Sequence, residues 1–263
     1  MRKFAFLIIF ALSFGMLANA QNRRINIDRA TSAVSQGVQS FTITDAQIAQ
    51  YADEYMQWMD RNNPLCKITD RDAGRRAVAE RLAKIVSIIP TDLIQKYNLD
   101  IQAYFVVDVN AFAAPNGAIR VFAGLMELLT DDEILAVIGH EIGHIANNDS
   151  KDAFVRALRV SALREAAGSV SGTVSRLSDS QLGDLAESLA NSRYSQAQEF
   201  EADAYGFNFL KKLEKNPNSM ASALNVLLEL QKEAGSPANS RYAQLFSSHP
   251  DLSARIDALN GKK

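Results

Sequence analysis

The sequence predicts an α+β fold, predominantly helical with a small β-sheet. Three observations carry that reading. Apolar residues recur at helical spacing over most of the chain, before and after its middle. Between the helical stretches lie two short runs rich in Val, Ile, Tyr and Phe, Ile101 to Val109 and Ala118 to Phe122, with the turn signal Pro115-Asn116-Gly117 between them. The chain shows no internal repeat, so helices, a small sheet and more helices describe one domain and not a solenoid.

The elements follow in order. Arg2 and Lys3 precede the mostly apolar run Phe4 to Leu17, and Ala18-Asn19-Ala20 has the small-residue pattern of a cleavage site, so residues 1–20 read as a signal peptide. Residues 21–40 are a polar lead-in, and residues 41–263 form the folded domain. Thr44 and Gln47 make a capping box for a helix whose apolar face is Ile48, Tyr51, Ala52, Tyr55, Met56 and Met59. A second helix runs from about Asp72 to Ile89 and stops at Pro90. The two strands follow, and the rest is helical in pattern. Gly168 to Ser180 is rich in Ser and Gly, as in a connector or a lid.

Composition narrows the function. Of 263 residues, 28 are Lys or Arg and 30 are Asp or Glu, a net charge of −2, which leaves no basic excess for a nucleic-acid partner. The single cysteine, Cys66, excludes a disulfide framework within the chain and a thiolate metal cluster. It reads as a buried small apolar side chain or as half of an intermolecular disulfide. A lipid-anchor cysteine after Ala20 is missing, and later segments are too short in apolar run to span a bilayer, so a soluble exported protein is expected.

There are three histidines, and two stand in His140-Glu141-Ile142-Gly143-His144. A capping box, Thr130 with Glu133, opens the helix that carries them. The i, i+4 spacing stacks both imidazoles on one face, within reach of one Zn²⁺ at about 2.0–2.1 Å. Glu141 is offset from that face and suits a general base. A third ligand is needed. The continuation Ile145-Ala146-Asn147-Asn148-Asp149 has no histidine for it. Ser195 to Asp203 offers carboxylates on a later helix, with Glu199 and Asp203 on one face and Glu201 about 200° away from Glu199. Glu199 is the expected third ligand, and Asp203 the expected acceptor for a ligand histidine N–H. Two active roles are open to His249: a donor to the oxyanion of the tetrahedral intermediate, or an occupant of the fourth metal position at rest. A loop histidine packed against Pro250 is the plain alternative. Arg255 suits pairing with Glu199, Asp203 or substrate carbonyls, or a surface ion pair.

These motifs together resemble the gluzincin metallopeptidase family, which includes HtpX, the CAAX prenyl proteases and periplasmic proteases of the BepA and LoiP type, the last being nearest in pattern. The matching residues are His140 to His144, the E-x-x-x-D of Glu199 to Asp203, His249-Pro250 with Arg255, and upstream Asn110-Ala111-Phe112-Ala113 with Gly117-Ala118-Ile119-Arg120-Val121 and Gly124-Leu125. The resemblance covers roughly Phe41 to Leu259. It implies a zincin-like (minigluzincin) domain with one Zn²⁺ per chain, held by His140, His144 and Glu199, and a histidine at 249 near the metal. It further implies an endopeptidase acting on unfolded or misassembled exported proteins in the periplasm of a Gram-negative bacterium. Without a lipoprotein cysteine, the membrane contact left open is peripheral association with the outer membrane. The strand Ala118 to Phe122 is the expected edge for an extended substrate, with Asn110, Gly117, Ala118, Ile119 and Arg120 as its contacts. The alternative function is a chaperone or assembly factor that binds the same substrates with little proteolysis. An intact Glu141 weighs against it, because a pure binder has no use for a general base.

Overall fold

A computed structural model describes residues 43–166, 176–233 and 242–262, with the side chains of 162–166 left aside. The expected signal peptide, the polar lead-in and residues 168–175 of the Ser/Gly-rich segment lie outside the described residues. The fold is α+β and mainly helical, as the sequence predicts. Helix α1 (Asp45–Asn62) begins at the Thr44 capping box. Helix α2 (Ala73–Val86) begins at Asp72, whose side chain accepts from Arg75 N. The expected second helix ends three residues early, and Pro90 starts a separate short helix, α3 (Thr91–Tyr97).

Strands β1 (Asp100–Tyr104), β2 (Ala111–Ala113) and β3 (Ala118–Phe122) form one sheet in the order β1-β3-β2. β1 pairs parallel with β3 from Asp100↔Ala118 to Tyr104↔Phe122, and β2 pairs antiparallel from Ala111↔Val121 to Ala113↔Ile119. β1 is shorter than the expected Ile101–Val109, because after Tyr104 the chain leaves the sheet to cross to β2. This corrects the substrate-edge expectation. β3 is the central strand, and all five of its residues are buried. Ile119 lies in the main core, Ala118 packs in the smaller one, and Arg120 is enclosed by Asp60 and Asp100, its Nη2 donating to both. Gly117 is a turn residue at φ 93°, pressed against the carbonyls of Tyr97 and Asn98, where a Cβ would lie 2.2 Å from Tyr97 O. None of these four is open to a substrate strand. The outer edge of β1 is covered by Pro64 to Cys66, through Cys66 N–H to Ala103 O and Phe105 N–H to Pro64 O. Among the described residues, the edge without a strand partner is that of β2.

Helices α4 (Ala123–Leu128), α5 (Asp131–Ala146), α6 (Asp149–Ala166), α7 (Asp179–Ala190), α8 (Gln196–Lys212), α9 (Ser219–Glu233), α10 (Ala243–Ser248) and α11 (Leu252–Asn260) complete the described chain. α5 carries the paired histidines and is buried all round from Glu133 to His144, the pattern of a helix through the middle of a core. α2, β2, α6, α8 and α9 pack against it. A smaller apolar cluster joins α1, α6 and α7 through Ile48, Tyr55, Phe154 and Leu185. Cys66 belongs to the main core, and burial pushes its thiol up to about 11, away from the thiolate form.

α5 and α8 approach closely because small residues face each other. A Cβ on Gly143 would stand 3.0 Å from Ala202 Cα and Tyr205 Cβ, and one on Gly206 would stand 3.2 Å from Ala136 O and His140 N. Backbone cannot yield as a side-chain tip does, so Gly143→Val is expected to lower stability by about 1–3 kcal/mol. It is also expected to part the two helices and reduce bound metal. Urea unfolding with a metal assay checks this; an unchanged midpoint with full metal would show that the crossing tolerates the added bulk.

Candidate metal centre

The Thr130 capping box fixes where α5 starts, and its helical period then sets His140 and His144 on one face. The Ser195 box does the same for α8 and puts Glu199 in its first turn, opposite the histidines. His140 Nδ1 meets Asp203 Oδ1 at 2.9 Å, and His144 Nδ1 meets Asp149 Oδ2 at 2.9 Å. A carboxylate accepts, so each Nδ1 donates, and in the neutral rings each Nε2 carries a lone pair. Those two nitrogens stand 3.1 Å apart. Glu199 Oε1 lies 3.5 Å from His144 Nε2, and Oε2 lies 3.8 Å from His140 Nε2. The third histidine joins them: His249 Nδ1 is 3.0 Å from Glu199 Oε1 and 3.4 Å from His140 Nε2. The ligand atoms of His140, His144, Glu199 and His249 all lie within 4.8 Å of one another, and all four residues are buried.

A cation fits this donor set. Two lone pairs aimed at each other at that distance repel unless a proton or a metal ion stands between them, and the site favours positive charge there: against desolvation, Asp149 and Glu199 raise His144 to about 9. Glu141, Asp149, Glu199 and Asp203 are all buried here, and Arg255, buried with them, pairs with Asp203 and Glu199; buried charge requires a partner. Arg255 donates Nε to Asp203 Oδ2 and Nη2 to Asp203 Oδ1, both at 2.7 Å, and its Nη1 forms an ion pair with Glu199 Oε2. Burial opposes the ionised form of Asp203, but Arg255 and His140 outweigh it and hold that carboxyl at about 2. Burial likewise opposes ionisation of Glu199, and His249, His144 and Arg255 overcome it and hold it below the ordinary carboxylate range. Desolvation keeps His140 below its usual value, favouring the neutral ring a metal requires. N and O donors without sulfur, three of them imidazole, suit zinc.

Glu141 lies beside the ligands without joining them. It is 2% exposed, its Oε2 has no hydrogen-bond partner among the described residues, and its Oε1 is 3.9 Å from His249 Nε2. It lines a cavity of about 380 Å³ with His249, Tyr194, Asn110, Phe112 and Tyr55. One wall of that cavity is the β2 edge. Asn110, just before β2, is buried with its Oδ1 unpartnered.

The structure brings together His140, Glu141, His144, Glu199, Asp203, His249 and Arg255, places Asn110 in the cavity wall, and leaves Ala118, Ile119 and Arg120 in the central strand with Gly117 in the turn before it. Three contributors went unread in the sequence. Asp149 stands five residues after His144, swung back by Asn148 at φ 63°, and Asn is a residue that tolerates this conformation. Gln198 donates Nε2 to Asp149 Oδ1 at 2.7 Å, and only its place in an S-x-x-Q box marked it. Tyr194 stacks on the His144 ring, centroids 3.9 Å apart, and no periodic signal points to it.

An HExxH helix buried through the core, a facing glutamate and a cavity beside an open strand edge together define a metallopeptidase. The model of Peptidase family M48 matches residues 71–263, and the chain belongs to that family. It is 36% identical over 231 residues to "Metalloprotease LoiP" of Escherichia coli (strain K12), covering 88% of this chain and 86% of that protein. It is 32% identical over 263 residues to "Metalloprotease YcaL" of the same strain, covering 100% of this chain and 98% of the relative. Against the "Protease HtpX homolog" of Nostoc sp. the identity is 28% over 222 residues, 70% of this chain and 75% of that protein.

Proposed function

We propose that the protein is a zinc endopeptidase that cleaves unfolded or misassembled exported polypeptides. The observation that carries this reading is the meeting of two histidine Nε2 atoms with Glu199 in a buried, carboxylate-rich pocket, beside the unpartnered Oε2 of Glu141. His140, His144 and Glu199 would hold one zinc ion per chain. Zinc supplies a Lewis acid for the peptide carbonyl and lowers the pKa of water toward ~7. Glu141 takes the proton of the attacking water on its free oxygen and returns it to the leaving amine. Asp203 and Asp149 hold the histidine rings in one tautomer.

The substrate strand adds to the open edge of β2, and Asn110 Oδ1 accepts one of its backbone N–H groups. Edge addition reads main chain and needs an extended segment, which favours unfolded substrates over folded ones. His249 stands beside the ligand atoms, Nδ1 3.0 Å from Glu199 Oε1 and 3.4 Å from His140 Nε2, close to where a water or substrate oxygen must enter, which supports an active role for it over a plain loop histidine. The basic, apolar and A-x-A start of the chain supports export to a periplasm. No helix among the described residues is long and apolar enough to cross a membrane.

The test is turnover of denatured casein against a folded protein of similar size. Only the denatured substrate should be cut, a chelator should stop the reaction, and added zinc should restore it. Equal cutting of the folded protein would refute the substrate class, and indifference to chelator would refute the metal.

A further inference from the structure

Helix starts in this chain repeatedly use a capping box, and either Gln or Glu fills its third position, as Gln47 does in α1 and Glu133 in α5. Only the side-chain oxygen is needed for that task. At α8 both ends of the side chain are used. Gln198 Oε1 accepts from Ser195 N at 2.9 Å and Ser195 Oγ at 3.0 Å, while Nε2 donates to Asp149 Oδ1 at 2.7 Å. Asp149 is 5% exposed, and its other oxygen receives His144 Nδ1. A carboxylate at position 198 would complete the box but face Asp149 oxygen to oxygen. Only an amide can accept on one side and donate on the other.

The ligands come from two helices, so their relative placement needs links between α5 and α8. One is direct, from Asp203 on α8 to His140 on α5. The second runs from Gln198 on α8 through Asp149 to His144, and it starts one residue before Glu199. We infer that Gln198 is a positioning residue for the metal centre: it fixes Asp149, and through it the ring of His144, in register with the helix start that presents Glu199. The inference rests on the zinc reading above.

The decisive variant is Gln198→Glu in the full chain, which keeps the box and removes the donor. Zinc affinity by chelator competition, the visible spectrum of the Co²⁺-loaded protein and the melting temperature of the metal-free protein are the readouts. Zinc binding is expected to weaken about tenfold or more and the Co²⁺ bands to shift, with little change in metal-free melting. In an Asp149→Asn background the same change should weaken zinc by less than about twofold, because the amide at 149 can then donate to the carboxylate at 198. If Gln198→Glu does not fold, the double variant carries the test, and it should fold with zinc affinity within about twofold of Asp149→Asn. Wild-type affinity and spectrum in Gln198→Glu, or the same penalty in both backgrounds, would overturn the inference. A wild-type protein that binds no zinc would refute the metal reading and this inference with it. That result is distinct from a silent Gln198→Glu in a zinc-loaded protein.

Discussion

Glu141→Gln is expected to lower hydrolysis of unfolded protein by roughly 10²–10⁴-fold while bound zinc stays at the wild-type level. The side chain is next to His140 on α5, buried in the cavity wall, with Oε2 unpartnered. Glutamine has the same shape, so packing and the set His140, His144 and Glu199 are kept. An amide cannot take up a proton, so the step that activates water and serves the leaving amine is lost. Steady-state rates on denatured casein with a zinc assay check both halves. Full activity would remove Glu141 from the proton path, and loss of zinc would make it a ligand. Retained rescue of a deletion strain by this variant would favour the chaperone reading.

The second large effect is on stability. Arg255→Met is expected to destabilise the domain by about 3–5 kcal/mol, because it strands two buried carboxylates. Arg255 is 2% exposed and ties α11 to α8 through Asp203 and Glu199. Arg255→Lys should recover little of the loss, since a point charge cannot reproduce the paired donors on Asp203. Urea midpoints at fixed m measure the change. A loss below ~1 kcal/mol, the scale of a solvated pair, would contradict the buried arrangement.

Much of the centre was legible because helical period is a local property. The spacing of His140 and His144, and of Glu199 and Asp203, states which residues share a face, and capping chemistry marks where α5 begins. Pairings across long separations are not local. That Asp203 serves His140 while Asp149 serves His144 depends on how α5 crosses α8, which Gly143 and Gly206 set. Arg255 meets Asp203 across 52 positions; the sequence offers that pairing among several, and no spacing singles it out. The sheet is the least legible element of the sequence. Ala111–Ala113 is three residues without alternation, and pairing with β3 makes it a strand. β3 was expected at an edge, yet its unbroken burial is what a central strand shows. Arg120 disguised this: a charged residue there suggests exposure, but Asp60 and Asp100 enclose it.

The most direct single measurement is zinc K-edge X-ray absorption on the purified protein. The expected result is about one zinc per chain in a shell of nitrogen and oxygen near 2.0–2.1 Å, with the outer-shell pattern of at least two imidazoles. A protein without zinc, or a shell with sulfur near ~2.3 Å, would contradict the centre built from His140, His144 and Glu199.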